Sequence, residues 1–266
     1  MTYNFQQPID QKCHGVVFSK TNGTTITLTP TSNDGLANAA YIPVRYTPGG
    51  AGTNGQHTVK LTAALTCVTT TTGAGALDTG TIANNTGYYV YLICKENLAD
   101  PALIMSASVP FPVGEYPPDY VMRSAPIFFI RYDAAVPDFI HTIDGWVAVD
   151  VADKLVNNGT ATSDTAIDLT NHLPKNCYAK IRIRARHSAT TDRNVTLKGE
   201  AVSGADTTLL GLYAIDGDAA NQWDDIQQHI EIPVTSNLAT SLYYIWNDTP
   251  AEGLIAWPIG FKLSVY

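Results

Sequence analysis

Apolar and polar residues alternate with a period of two along most of this chain. In Thr24-Thr-Ile-Thr-Leu-Thr29, Ile26 and Leu28 fall on one face and threonines on the other, the mark of a half-buried strand. The same pattern covers His57 to Cys67, with Val59, Leu61, Ala63 and Leu65 alternating. Val16-Val17-Phe18, Tyr41 to Tyr46, Tyr88 to Ile93 and Ala125 to Tyr132 are further short β-branched or aromatic runs, each predicting a strand. Pro48 to Gly55 predicts a loop, and Asn84-Asn85 with Gly87 predicts a turn ahead of the Tyr88 strand. The helical period is matched only over two short segments, Glu96 to Leu103 and Asp218 to Gln228.

A second series of strands begins near Trp146. It comprises Val147 to Val151, Thr165 to Leu169, Ala179 to His187, Val195 to Val202, Leu209 to Ile215, Ile230 to Val234, Ser241 to Trp246 and Gly260 to Tyr266. Asn157-Asn158-Gly159 is a turn between the first two. The pattern predicts an all-β protein of two β-sandwich or jelly-roll-like modules. Residues 1–145 form an N-terminal arm and the first β module; residues 146–266 form a second, jelly-roll-like sandwich. The last strand, Phe261 to Tyr266, is expected to lie within a sheet, with Phe261, Leu263 and Val265 on one face.

Composition narrows the partners. Of 266 residues, 45% are hydrophobic and only 15% charged, which suits a packed protein and argues against disorder. A net charge of −8 makes nucleic acid an unlikely main partner, because phosphate binding needs a basic face. Low charge together with many Thr-, Ala- and Val-rich strands predicts self-association through flat sheet surfaces, with a trimer favoured. The first residues, Met-Thr-Tyr-Asn-Phe-Gln-Gln-Pro, show neither the basic nor the apolar region of a secretory signal, so synthesis in a cytoplasm is expected. No apolar run approaches the ~18 residues of a membrane span. The sequons at Asn22, Asn84, Asn158, Asn194 and Asn247 read as by-products of a Thr- and Asn-rich β composition. The cysteines Cys13, Cys67, Cys94 and Cys177 have no CxxC spacing and predict no disulfide framework. Cys13 and His14 are adjacent, so a strand would point them to opposite faces; no metal and no cofactor are expected.

Three groups of residues carry candidate chemistry. Lys180, Arg182, Arg184 and Arg186 alternate with Ile181, Ile183, Ala185 and His187. In a strand this places four cations on one face, about 6.6 Å apart, where they repel unless something offsets them. The row is therefore an interface candidate for an acidic partner, or else a solvated face paired with Glu200 and Glu231. Asp216-Gly-Asp218, Asn221, Asp224 and Asp225 make an oxygen-rich segment, but its spacing is not that of a calcium loop. Among Trp146, Trp223, Trp246 and Trp257, Trp223 has polar neighbours on both sides and is the candidate for stacking on a ligand. No nucleophile elbow, zinc motif or phosphate loop is present, and the six histidines are scattered, so no catalytic residues are assigned and no enzyme is expected.

One segment carries a family resemblance. Leu77-Asp-Thr-Gly is followed by the Tyr88-Tyr-Val-Tyr91 strand, then Gly114-Glu-Tyr-Pro-Pro-Asp-Tyr120, then Arg123 ahead of an apolar strand. This order, over about residues 77–140, resembles a module of tailed-bacteriophage structural proteins. Where that module has Arg-Arg and a glycine, this chain has Met122-Arg123-Ser124-Ala125. The resemblance implies a virion protein without chemistry of its own. Two placements follow: an exterior head-decoration or minor capsid protein beside a major capsid protein, or a tail appendage or receptor-binding protein beside tail proteins and a host surface glycan. A stand-alone carbohydrate-binding module is the reading from a different class.

Overall fold

The computed structural model describes residues 15–31, 38–46, 56–108, 117–133, 136–138, 140–141, 146–149, 154–170, 172–187, 192–199, 208–215, 224–234 and 238–263. Among these residues the chain is all-β, with 21 strands and a single 3-10 turn. It divides into two compact units between Pro137 and Asp138.

The strands of the first unit are β1 (Val16–Asn22), β2 (Thr25–Pro30), β3 (Ala40–Tyr46), β4 (Gln56–Leu61), β5 (Leu65–Thr72), β6 (Ala76–Leu77), β7 (Thr86–Lys95), β8 (Ala102–Ser106), β9 (Tyr120–Arg123), β10 (Phe128–Asp133) and β11 (Val136–Asp138). They form one sheet in the order β1-β2-β5-β6-β8-β7-β9-β3-β4, with β10 joined to β7 and β11 to β10. The sheet folds over itself. Phe18 on the outermost strand β1 stacks on Phe128 of β10, with ring centroids 4.2 Å apart. The seven residues Tyr88 to Cys94 of β7 are accordingly buried on both faces. That continuous apolar run is the signature of a central strand covered on both sides.

One edge of β7 pairs with β8, while the other is shared by two strands. Residues Thr86 to Val90 pair with β10, and Ile93 to Lys95 pair with β9. Between them Ser124 and Ile127 donate their N–H groups to the Leu92 and Val90 carbonyls. The basic residue of the phage-like pattern, Arg123, closes β9 rather than opening β10, and its guanidinium lies 6.0 Å from the centre of the Tyr91 ring.

The second unit holds two sheets. Its strands are β12 (Ile140–His141), β13 (Val147–Ala148), β14 (Val156–Gly159), β15 (Thr165–Ala166), β16 (Cys177–His187), β17 (Arg193–Gly199), β18 (Thr208–Ile215), β19 (Asp224–Val234), β20 (Leu242–Trp246) and β21 (Gly253–Leu263). Six form a sheet in the order β12-β13-β21-β16-β19 with β14 on β21; the other four run β15-β20-β17-β18. Ile181, Ile183 and Ala185 of the larger sheet and Val195, Leu197, Leu242 and Tyr244 of the smaller are buried. Trp246 ties the sheets together: it is 1% exposed, and its Nε1–H donates to the Gly159 carbonyl at 2.9 Å. Gly159 has no room for a side chain, since a Cβ there would lie 2.5 Å from the Tyr244 hydroxyl.

Six expectations need correction, the first being the Asn157-Asn158-Gly159 turn, which lies in β14 and pairs with β21 across an irregularity in register. Glu96 to Leu103 is not a helix: a 3-10 turn spans Glu96–Leu98 and β8 starts at Ala102. The chain must reverse within this stretch to pair Ala102 with Ile93, and it does so through positive φ at Asn97, Leu98 and Asp100, outside the right-handed helical region. The proposed helix from Asp218 is a strand from Asp224 onward, drawn into eleven consecutive pairings with β16; residues 218–223 lie outside the described residues. The alternation from His57 to Cys67 is broken at Thr62–Ala64, because β4 pairs with β3 while β5 leaves to pair with β2. Gly87 lies inside β7, not in the turn before it: the Phe129 ring of the adjacent strand occupies the space of its missing side chain. Finally, the second unit starts before Trp146, because Ile140–His141 already pairs with Val147–Ala148 in the larger sheet. The proposed N-terminal arm, up to His14, lies outside the described residues.

Candidate interaction face

The four cations singled out by alternation lie on β16, an interior strand of the larger sheet of the second unit. Their apolar partners Ala179, Ile181, Ile183 and Ala185 are at most 1% exposed, so Lys180, Arg182, Arg184 and Arg186 project from the opposite face, each half-buried. Tyr178 extends the row at one end and is 52% exposed. Backbone hydrogen bonding to β19 on one side and β21 on the other fixes the spacing of this row.

A neighbouring strand supplies part of the offset that four like charges require. Glu231 of β19 stands directly across from Lys180, with Oε1 3.3 Å from Nζ. Both side chains are partly solvated, at 38% and 57% exposure, so this pair is worth at most about 1 kcal/mol. Aromatic rings cover two of the cations. Lys180 Nζ lies 5.2 Å from the centre of the Trp146 ring, and the Arg182 guanidinium lies 4.6 Å from that of Trp257. Each such contact contributes roughly 0.5–2 kcal/mol, depending on how dry the site is. Trp257 of β21 stands across from Arg182 because the β16–β21 register shifts next to Lys180 and Ile181. Beside that shift Gly260 lets β13 approach β21 on its other edge, as a Cβ there would lie 2.8 Å from the Val147 carbonyl oxygen.

The structure therefore gathers Lys180, Arg182, Arg184, Arg186, Trp146 and Trp257 on one sheet face. The two tryptophans were missed as members of it. The hint was their chemistry, indole against cation; the pairing itself depends on strand register. Trp246 belongs to the core instead. Trp223, Asp216, Asp218, Asn221, Glu200 and the Cys13-His14 pair lie outside the described residues. Asp224 and Asp225 open β19, at register positions opposite His187 and Arg186. Among the described residues no group of three or more His, Cys, Asp or Glu side chains could hold a metal ion. No described helix is long and apolar enough to cross a membrane.

Elsewhere the titratable groups are set by burial or local turns. Burial pushes the Cys67 thiol up to about 12 and that of Cys94 up to about 11, and raises Cys177 as well. Asp168 is held below the usual carboxylate range by hydrogen bonds from the Thr170 side chain and backbone N–H.

No protein-family model matches this chain, and no curated protein does. Among solved structures, one from the Gx strain of infectious bursal disease virus aligns over 95% of this chain and 72% of its own, at 12% identity and a TM-score of 0.19. At that score the two folds do not superpose.

Proposed function

We propose that this chain is a non-enzymatic structural component of a tailed-phage virion that acts by assembling into an oligomer, as an exterior head-decoration or minor capsid protein. The observation that carries the reading is the outer sheet face of β16, where cations and indoles stand on a scaffold hydrogen-bonded on both sides. Rigid faces rich in Arg and aromatic residues suit protein contacts. The phage-like order of residues 77–140 points the same way. In this reading the partners are further copies of the chain and the major capsid protein, and its place is the virion.

The test has two parts. Mass spectrometry of purified virions should detect the chain in stoichiometric amount, and sedimentation of the purified protein should give a symmetric oligomer, a trimer in this proposal. A monomer absent from particles would overturn it. A second reading, a tail appendage or carbohydrate-binding module, draws on the exposed aromatic ring of Tyr178 beside the basic row. Its test is a glycan array probed with the full chain, together with labelling of tail rather than head in electron micrographs.

A further inference from the structure

We propose that the outer face of β16 docks a second copy of this chain, with the row of Lys180, Arg182, Arg184 and Arg186 meeting the acidic surface of its neighbour. This rests on the assembly reading and names the partner and the side chains that select it.

Three observations converge. The first is charge. The chain has 16 Lys and Arg against 24 Asp and Glu. With the four row cations set aside, twelve basic residues remain against those 24 acidic ones, so the rest of each copy is strongly acidic. The row and that remainder are complementary, whereas phosphate or another polyanion would meet the net negative charge of the rest of the chain.

The second is preorganisation. β16 is paired on both edges, Arg182 rests on Trp257 at 4.6 Å, and Lys180 is held between Trp146 and Glu231. Long cations fixed in this way lose less rotamer freedom on docking than loose surface lysines do. Stacking engages the flat face of a guanidinium, and its N–H donors lie in the plane of the group, directed away from the ring.

The third bears on the alternative occupant. A sugar stacks on a ring face, and Trp146 and Trp257 each have a cation over one. That arrangement favours carboxylates recognised by the cations over a glycan recognised by the indoles.

A basic face meeting a different, acidic surface is a head-to-tail contact, which closes into a ring when the rotation allows. It is therefore compatible with a cyclic trimer and not with a two-fold dimer built on this face alone.

Sedimentation of the full chain tests this at low and high salt, about 50 and 500 mM, a range over which the screening length falls severalfold. The wild-type oligomer should weaken at the higher salt. The double variant Arg182→Gln/Arg184→Gln should associate about tenfold more weakly or less at low salt, and lose most of its salt dependence. Lys60→Gln/Lys154→Gln carries the same net charge and should associate as the wild type does. Circular dichroism establishes that each variant is folded; should the double variant fail to fold, the salt response of the wild type decides. An oligomer indifferent to salt and to the double substitution overturns this docking surface while leaving assembly in place. A wild-type chain that is monomeric at both salts, yet enters virions only with the row intact, also overturns it and assigns the row to another virion protein. A monomer absent from virions overturns the assembly reading itself. Binding of an acidic glycan that the double variant loses, with the oligomer unchanged, assigns the row to the glycan.

Discussion

Leu92 and Ser124 are joined by two hydrogen bonds, and only one is backbone to backbone. The Ser124 N–H donates to the Leu92 carbonyl at 2.9 Å, while the Leu92 N–H donates to the Ser124 hydroxyl oxygen, also at 2.9 Å. The hydroxyl stands in for a strand carbonyl at the gap between β9 and β10, where Ala125-Pro126 carries the chain from one pairing to the next. Both residues are buried, at 0% and 3% exposure.

Ser124→Ala should therefore cost about 1–3 kcal/mol, the penalty for a buried N–H left without an acceptor. Urea unfolding of the wild type and variant measures it. A loss below about 0.5 kcal/mol would mean that water or a backbone shift supplies the acceptor.

Gly87→Ala should destabilise through a specific clash. Its Cβ would lie 2.3 Å from Phe129 Cζ, so the ring, which packs on Tyr89 with centroids 5.0 Å apart, has to move. Overpacking of this kind costs typically 1–3 kcal/mol. In the Phe129→Ala background the clash is gone, and the Gly87→Ala cost should fall sharply. The coupling energy from the four unfolding free energies checks the relationship; additive effects would refute it.

These two sites also mark how much was legible in the sequence. The β-class and most strand cores follow from period two, and Ile26, Leu28, Ile181 and Ile183 are fully buried as that period requires. The basic row was equally legible, because alternation alone decides which side chains share a face. What was hidden depends on pairing between distant segments. Gly87 reads as a turn residue until Phe129 is known to lie across it, and Trp257 reads as core until the β16–β21 register sets it across from Arg182. The segment after Glu96 reads as helix because propensity carries no information about the reversal that pairing with β8 imposes. The boundary between units was misplaced for the same reason, since a two-residue strand such as Ile140–His141 has no period of its own.

The buried thiols give a chemical test. Cys67 and Cys94 are raised to about 12 and about 11 from an ordinary value near 9 by burial, and Cys177 is raised too. At pH 8 almost no thiolate forms, so in a Cys13→Ser background the native protein should resist alkylation by iodoacetamide and label at all three sites once unfolded in urea. The linkage has a definite sign. The folded state holds these protons more tightly than the unfolded chain, so their contribution is intact below about pH 9 and stability falls as pH rises from there towards 11–12. Rapid labelling of the native protein at pH 8 would contradict this burial.

Deleting residues 261–266 should unfold the second unit. Phe261 is 2% exposed and pairs with Ala179 of β16 and Val147 of β13, so β21 runs between two neighbours at this point. Removing it takes away an apolar side chain worth roughly 1.5–3 kcal/mol in burial alone. It also strips pairing from both adjacent strands and leaves their edges open to aggregation. Val265 and Tyr266 lie outside the described residues, so the effect is expected from Phe261 and the pairings at Lys262 and Leu263. The truncated chain should be insoluble or melt far lower than the full chain. Substituting Phe261→Ala in the full-length chain separates side chain from backbone: it should cost about 3–5 kcal/mol and leave the pairing in place. A truncation that stays soluble with unchanged melting would mean that this end of β21 contributes nothing to the sheet, and the pairing with Ala179 and Val147 would be refuted.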